Sequence, residues 1–225
     1  SMTLKLNGSS SGSVSIDAPA STTGGADRTL TLPDDSGNGV IKTSTYPSSL
    51  QVLERFLTPC DGSTIATSNG NITVSNVSSI QDLSTTHTDI TGSTISYQPP
   101  TGTTQVIYEF HTAASKGQDS YPWTHFKVVL DGTDVVYSRN SQRVDGGGED
   151  GPGKIAMYWP FNIGGTADAN VGRVASWSSA KTIKMQAREY NSNTEGALHR
   201  LHGWDGSDSG FFTIPLIGIT AIGAA

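Results

Sequence analysis

The sequence predicts an all-β protein, and three features carry that prediction. Short apolar runs of period two recur along most of the chain. Clusters of Gly, Pro, Asn, Asp and Ser separate them, and glycine alone supplies 26 of 225 residues, a composition that suits tight turns. Helical periodicity is nearly absent. Many short strands with so little helix point to a sandwich, a jelly roll or a barrel.

Composition narrows the function classes. The net charge is −6 and the fourteen Lys and Arg residues are scattered, so a phosphate-binding surface is not expected and nucleic acid is not an expected partner. The single cysteine, Cys60, excludes an internal disulfide framework and a cysteine-based zinc site. No apolar run approaches the ~18 residues of a membrane helix. No signal-peptide pattern is present, and Ser1-Met2 reads as a cloning remnant ahead of a start or a fragment boundary.

Taken in order, residues 3–45 hold four short apolar alternations: Leu4 and Leu6, Val14 and Ile16, Leu30 and Leu32, Val40 and Ile41. Turn compositions separate them. Such a segment cannot bury a core alone, so it predicts an intertwined β shaft whose strands are shared among three copies. Residues 46–60 form a linker. Leu50, Leu53 and Leu57 recur there at helical spacing, Ser48 or Ser49 offers a cap and Pro59 a stop. A helix of about two turns, or a strand, fits this stretch.

Residues 61–225 read as a β head. The pattern predicts strands near 71–77, 81–91, 94–97, 104–113, 123–130, 133–139, 154–163, 172–177, 182–190, 197–202 and 211–222. Val128-Val-Leu-Asp-Gly-Thr-Asp-Val-Val carries the Asp-Gly signature of a hairpin. The last stretch, Phe211 to Ala225, has no charged side chain and is apolar on both parities. Either one face packs the domain core and the other a neighbouring subunit, or the strand is central in a single-chain core. Pro215 belongs at a bulge or at the strand's start.

The residues offer little catalytic chemistry. Gly206-Ser-Asp-Ser-Gly lacks the strand–elbow–helix context of a serine nucleophile. His199 and His202 sit three apart, on opposite faces of a regular strand, so they do not chelate one metal. Asp131-Gly-Thr-Asp and Asp205-Gly-Ser-Asp read as turns rather than calcium loops. No catalytic residue, metal or cofactor is therefore expected. Binding fits better, because aromatic residues in or near turns supply contact area and stack on sugars. Trp204, flanked by His202 and Asp205, leads the candidates. Tyr121 and the acidic loop carrying Glu149 and Asp150 follow. Trp123 and Trp159 abut strand-like runs and read as core.

Several stretches together resemble virion structural and fibre proteins of marine tailed bacteriophages, of the cyanophage type. They are Asn7-Gly-Ser-Ser-Ser-Gly-Ser-Val-Ser-Ile-Asp-Ala-Pro-Ala and Arg28-Thr-Leu-Thr-Leu-Pro-Asp-Asp-Ser-Gly in the leading segment. In the head they are Ile95-Ser-Tyr-Gln-Pro-Pro-Thr-Gly, His125-Phe-Lys-Val-Val-Leu-Asp-Gly-Thr, Arg188-Glu-Tyr-Asn-Ser-Asn, Trp204-Asp-Gly and Ile214-Pro-Leu-Ile-Gly-Ile-Thr-Ala-Ile. The resemblance implies a homotrimeric, non-enzymatic fibre in the virion, on tail or capsid, with a jelly-roll-like β-sandwich head. It implies a distal part that binds a host cell-surface glycan or outer-membrane component and contacts other virion proteins. The rival expectations are a purely structural fibre or capsid decoration, and a polysaccharide depolymerase.

Overall fold

A computed structural model describes residues 3–7, 11, 13–17, 50–116, 123–143, 153–192, 196–207 and 209–223. The chain divides into two units, Ser1–Ser44 and Thr45–Ala225. In the first, β1 (Thr3–Asn7) and β2 (Ser13–Asp17) pair antiparallel, Leu4 opposite Ile16 and Leu6 opposite Val14. The first two apolar alternations thus form one ladder within a single chain. The other two, at 30–32 and 40–41, lie outside the described residues.

The second unit is all-β. Its strands are β3 (Gln51–Pro59), β4 (Thr64–Thr67), β5 (Gly70–Thr73), β6 (Gln81–Asp82), β7 (Thr88–Asp89), β8 (Ile95–Tyr97), β9 (Thr103–Lys116), β10 (Trp123–Leu130) and β11 (Thr133–Arg143). They continue as β12 (Gly153–Asn162), β13 (Lys181–Glu189), β14 (Gly196–Leu198), β15 (Arg200–His202), β16 (Gly210–Phe212) and β17 (Leu216–Gly223). One sheet runs β3-β17-β9 with β12 on the far side of β9, and β14 and β6 extend it. The other runs β11-β10-β13, with β8 and β7 pairing β13. Every strand pairing is antiparallel.

The two sheets make a sandwich around one core. Tyr108, Phe110, Phe161, Ile217 and Ile219 face inward from the first sheet, and Tyr97, Phe126, Ile183 and Met185 from the second. Each is 2% exposed or less. Two large buried side chains have their polar atoms paired: the Tyr108 hydroxyl donates to the Ser93 carbonyl at 2.7 Å, and the Trp177 indole N–H to the Tyr97 carbonyl at 2.9 Å.

Three expectations are resolved. First, of the helix and the strand that fit the linker, the strand forms: Gln51–Pro59 is β3. Leu53, Phe56 and Thr58 turn inward while Val52, Arg55 and Leu57 turn outward. The ladder with β17 shifts register between Ala221 and Ile222, opposite Leu53. That extra residue breaks the period of two and leaves a spacing that imitates a helical stripe. Pro59 is tolerated because β3 pairs on one side only, with β17. Second, residues 172–177 are not a strand. A single 3₁₀ turn, Ala169–Val171, ends at Gly172 with φ 71°, and isolated bridges hold the segment. Third, the expected strand 81–91 breaks into the two-residue β6 and β7, since its Ser84-Thr-Thr run supplies no apolar alternation to bury.

The closing strand β17 lies between β3 and β9 and so is central in its sheet. Ile217, Ile219 and Ala221 are buried on the core side. Leu216, Thr220 and Ile222 are half-buried on the outer side. Gly218 is covered there by Glu109, whose Cγ stands 2.9 Å from where a Cβ would be. Pro215 ends just before the strand, and its carbonyl accepts from the Cys60 N–H at 2.9 Å.

Candidate functional site

The outer face of the second sheet carries the most developed site among the described residues. Trp123, His125 and Lys127 alternate along β10, with Thr124 and Phe126 buried between them. Antiparallel register sets His125 opposite Arg188 on β13 and opposite Ser141 on β11. His87 precedes Thr88, which pairs with Ala187, so it falls beside Arg188. One row therefore crosses four strands as His87, Arg188, His125 and Ser141. The neighbouring row holds Trp123 and Tyr190, whose N–H donates to the Trp123 carbonyl at 2.8 Å.

The second row is an aromatic platform. The Trp123 and Tyr190 rings stack at 4.5 Å with a 25° tilt, and His125 leans on both at 5.6 and 6.0 Å. Trp123 is 37% exposed and Tyr190 48%. Trp123 is thus a surface residue rather than the core residue its strand-like setting suggests. Its parity on β10, shared with His125 and Lys127, turns it to the outer face, away from the partner sheet.

Beside the platform is a cavity of about 340 Å³ lined by His87, His125, Lys127, Asp134, Arg139 and Arg188. A wide bulge delivers Arg139. Between Phe126 and Val128 the β10–β11 ladder skips from Asn140 to Val135. The Ser138 hydroxyl fills the gap, accepting from the Val128 N–H at 2.8 Å and donating to the Val135 carbonyl at 2.7 Å. Bulges of this kind re-aim side chains next to functional sites.

Electrostatics give the cavity a positive character. Asp134, the one carboxylate lining it among the described residues, is held by Lys127 at 2.6 Å. Arg188 donates one N–H to the Thr85 carbonyl at 3.2 Å. Burial pulls the His87 imidazole below its ordinary range, and Lys127 and Arg188 pull it further, with Asp134 opposing. His125 is lowered by burial and then by Arg188.

Of the residues singled out from sequence, the three that the structure describes fall elsewhere. His202 ends β15, and Trp204 and Asp205 lie in the turn that follows it. Trp204 is 76% exposed. Asp205 accepts from the Ser207 N–H at 3.0 Å and its hydroxyl at 2.6 Å, which lowers its carboxyl and ties Ser207 into an Asx turn. Tyr121, Glu149 and Asp150 lie outside the described residues. The Asp131-Gly132 pair is the left-handed hairpin turn expected of it, with φ 48° and 79°. The Asp131 carboxylate is occupied by Lys181 at 2.9 Å and the Thr182 N–H at 2.8 Å. Among the described residues no group of three His, Cys, Asp or Glu side chains could hold a metal ion.

His87, Arg139 and Arg188 were not singled out from sequence. The period-two run Trp123-Thr-His-Phe-Lys127 and the pair Arg188-Glu-Tyr190 hold a signal. Each puts aromatic and basic groups on one parity and core groups on the other.

No protein-family model and no curated protein matches the sequence. Among solved structures, a chain of the structure of infectious bursal disease virus, Gt strain, aligns at 7% identity with a TM-score of 0.29, over 98% of this chain and 50% of that one. This chain thus spans about half the length of that viral chain. A likeness that slight fixes neither fold nor function.

Proposed function

We propose that the protein is a non-enzymatic fibre component of a bacteriophage virion, and that its β head binds a glycan on the host surface. The observation that carries the binding reading is the exposed Trp123–Tyr190 stack beside a cavity. A rigid pair of rings left on the surface costs solvation and contributes nothing to the core, while it offers a flat apolar face to a sugar ring.

Strand order supports a jelly-roll reading of the head. Numbering the eight long or core-facing strands β3, β8, β9, β10, β11, β12, β13 and β17 from one to eight, the sheets run 1-8-3-6 and 2-7-4-5. That is the interleaving produced by folding a long hairpin of four strand pairs, and jelly rolls recur in viral and lectin domains. The virion assignment rests on the sequence resemblance to phage fibres.

The trimer finds support on the outer face of the β3-β17-β9-β12 sheet. Val52, Leu57 and Tyr158 remain 59%, 45% and 55% exposed there. The Glu109 and His111 side chains at its centre are 10% and 13% exposed and pair at 3.0 Å, so charge at the centre of the face is satisfied, while Arg55 and Lys154 stand exposed on its outer strands. Light scattering should return three times the 23.6 kDa chain mass. Leu57→Arg should return a single folded chain, and a wild-type protein that is already monomeric refutes the assembly.

Three sites per trimer give avidity beyond each weak contact. Saturable binding of labelled protein to host cells, lost by tenfold or more in Trp123→Ala, is the test; a central aromatic anchor is worth about 2 kcal/mol. Binding unchanged in that variant refutes the site. No saturable binding favours a purely structural fibre, and release of reducing sugar favours a depolymerase.

A further inference from the structure

We infer that the site takes an acidic saccharide residue, its carboxylate or sulfate seated between Arg188 and Arg139 and its ring lying against Trp123 and Tyr190. This rests on the glycan-binding reading and adds the chemical class of the ligand.

Charge is the first argument. The chain carries a net −6, yet among the described residues this cavity gathers Lys127, Arg139 and Arg188 against a single carboxylate that Lys127 already holds. Arg139 is exposed and has no hydrogen bond or ion pair among the described residues. Among the described residues Arg188 uses one N–H, toward Thr85. Two guanidinium groups with free donors form a fork suited to carboxylate or sulfate oxygens. Burial is the main cause of the lowered His87 and His125 imidazoles, and Arg188, with Lys127 at His87, lowers them further, a smaller contribution of the sign that favours an anion.

Spacing is the second argument. Trp123 and His125 are two residues apart on one face, so the aromatic row and the charged row are roughly 6.6 Å apart. That is about the width of one pyranose with its ring substituent. A cavity near 340 Å³ matches the lower end of small-ligand sites and suits one sugar residue rather than a polymer backbone. A long polyanion is disfavoured further, because Lys184, the next cation along β13, is neutralised by Asp89 at 2.8 Å.

The test is calorimetric titration of the full chain with glucose, glucuronate, glucose 6-sulfate and inorganic sulfate, in low and in 0.5 M salt. Expected are tenfold or tighter binding of the two acidic sugars over glucose, and tenfold loss in salt. The same loss is expected in Arg139→Gln, a surface change that leaves the fold intact. Saturation with glucuronate should also raise the His87 and His125 imidazole titrations seen by NMR. Glucose binding as tightly as glucuronate, indifferent to salt and to Arg139→Gln, overturns this inference and leaves the glycan site standing. Inorganic sulfate binding as tightly as the sugars, unaffected by Trp123→Ala, overturns the saccharide part. Absence of binding by any of the four overturns the inference, and the host-cell assay then decides the glycan reading separately.

Discussion

His199 allows a worked prediction. It is fully buried between β14 and β15, with a left-handed backbone at φ 59°. Its Nδ1 shares a hydrogen bond of 2.7 Å with the Thr112 hydroxyl, and its Nε2 one of 2.8 Å with the Thr91 hydroxyl. The Phe110 ring meets it edge-on at 6.5 Å. Burial lowers its pKa from 6.5 to about 4. The unfolded chain therefore binds a proton that the folded chain refuses between those values. Its contribution is fully present above pH 6.5 and is lost as pH falls toward 4. At about 1.4 kcal/mol per unit the loss is roughly 3 kcal/mol. Urea unfolding at pH 7 and pH 4 measures it. His199→Asn tolerates the left-handed backbone and removes the titrating group, so the variant should lose roughly 3 kcal/mol less than wild type over that interval. Equal losses in the two proteins, or an imidazole in the folded state that titrates near 6.5 by NMR, would refute the reasoning.

Two further substitutions test the parts that position the site and the sheet. Ser138→Ala leaves the buried Val128 N–H without its acceptor and should cost about 1–3 kcal/mol, read as a fall in urea midpoint; a neutral result would show that the bulge holds itself. Gly218→Ala places a Cβ 2.8 Å from the Phe56 carbonyl and 2.9 Å from Glu109 Cγ, for a loss of about 1–3 kcal/mol. Adding Glu109→Ala should recover part of that loss in a double-mutant cycle, and no recovery would assign the whole clash to the backbone.

The fold was legible where alternation was clean. Val128 to Val136 announced its hairpin through Asp131-Gly132, and the strand after Pro215 was visible in its uninterrupted apolar run. It failed where a bulge offset the period, as at Leu53. It failed again where glycine and single apolar residues imitate a strand, as in 172–177, which only tertiary bridges hold. The site was hidden for a different reason. Trp123, Tyr190, Arg139 and Arg188 span 68 positions of sequence, and only the pairing of β10 with both β11 and β13 makes neighbours of them. Trp204 stood out because its turn is contiguous. Contiguity is what sequence displays best, and a sheet face assembled across strands displays it least.

The placement of β17 bears on how the protein is made. Its two neighbours, β3 and β9, are synthesised long before it and meet only through it. Until residue 223 clears the ribosome, that sheet has a gap a strand wide, with Phe56 and Tyr108 facing an absent partner. The nascent head must wait in an open state, and a stop codon or a proteolytic nick ahead of Leu216 would leave it unable to close. Emergence of β17 and closure of that sheet are therefore a single event.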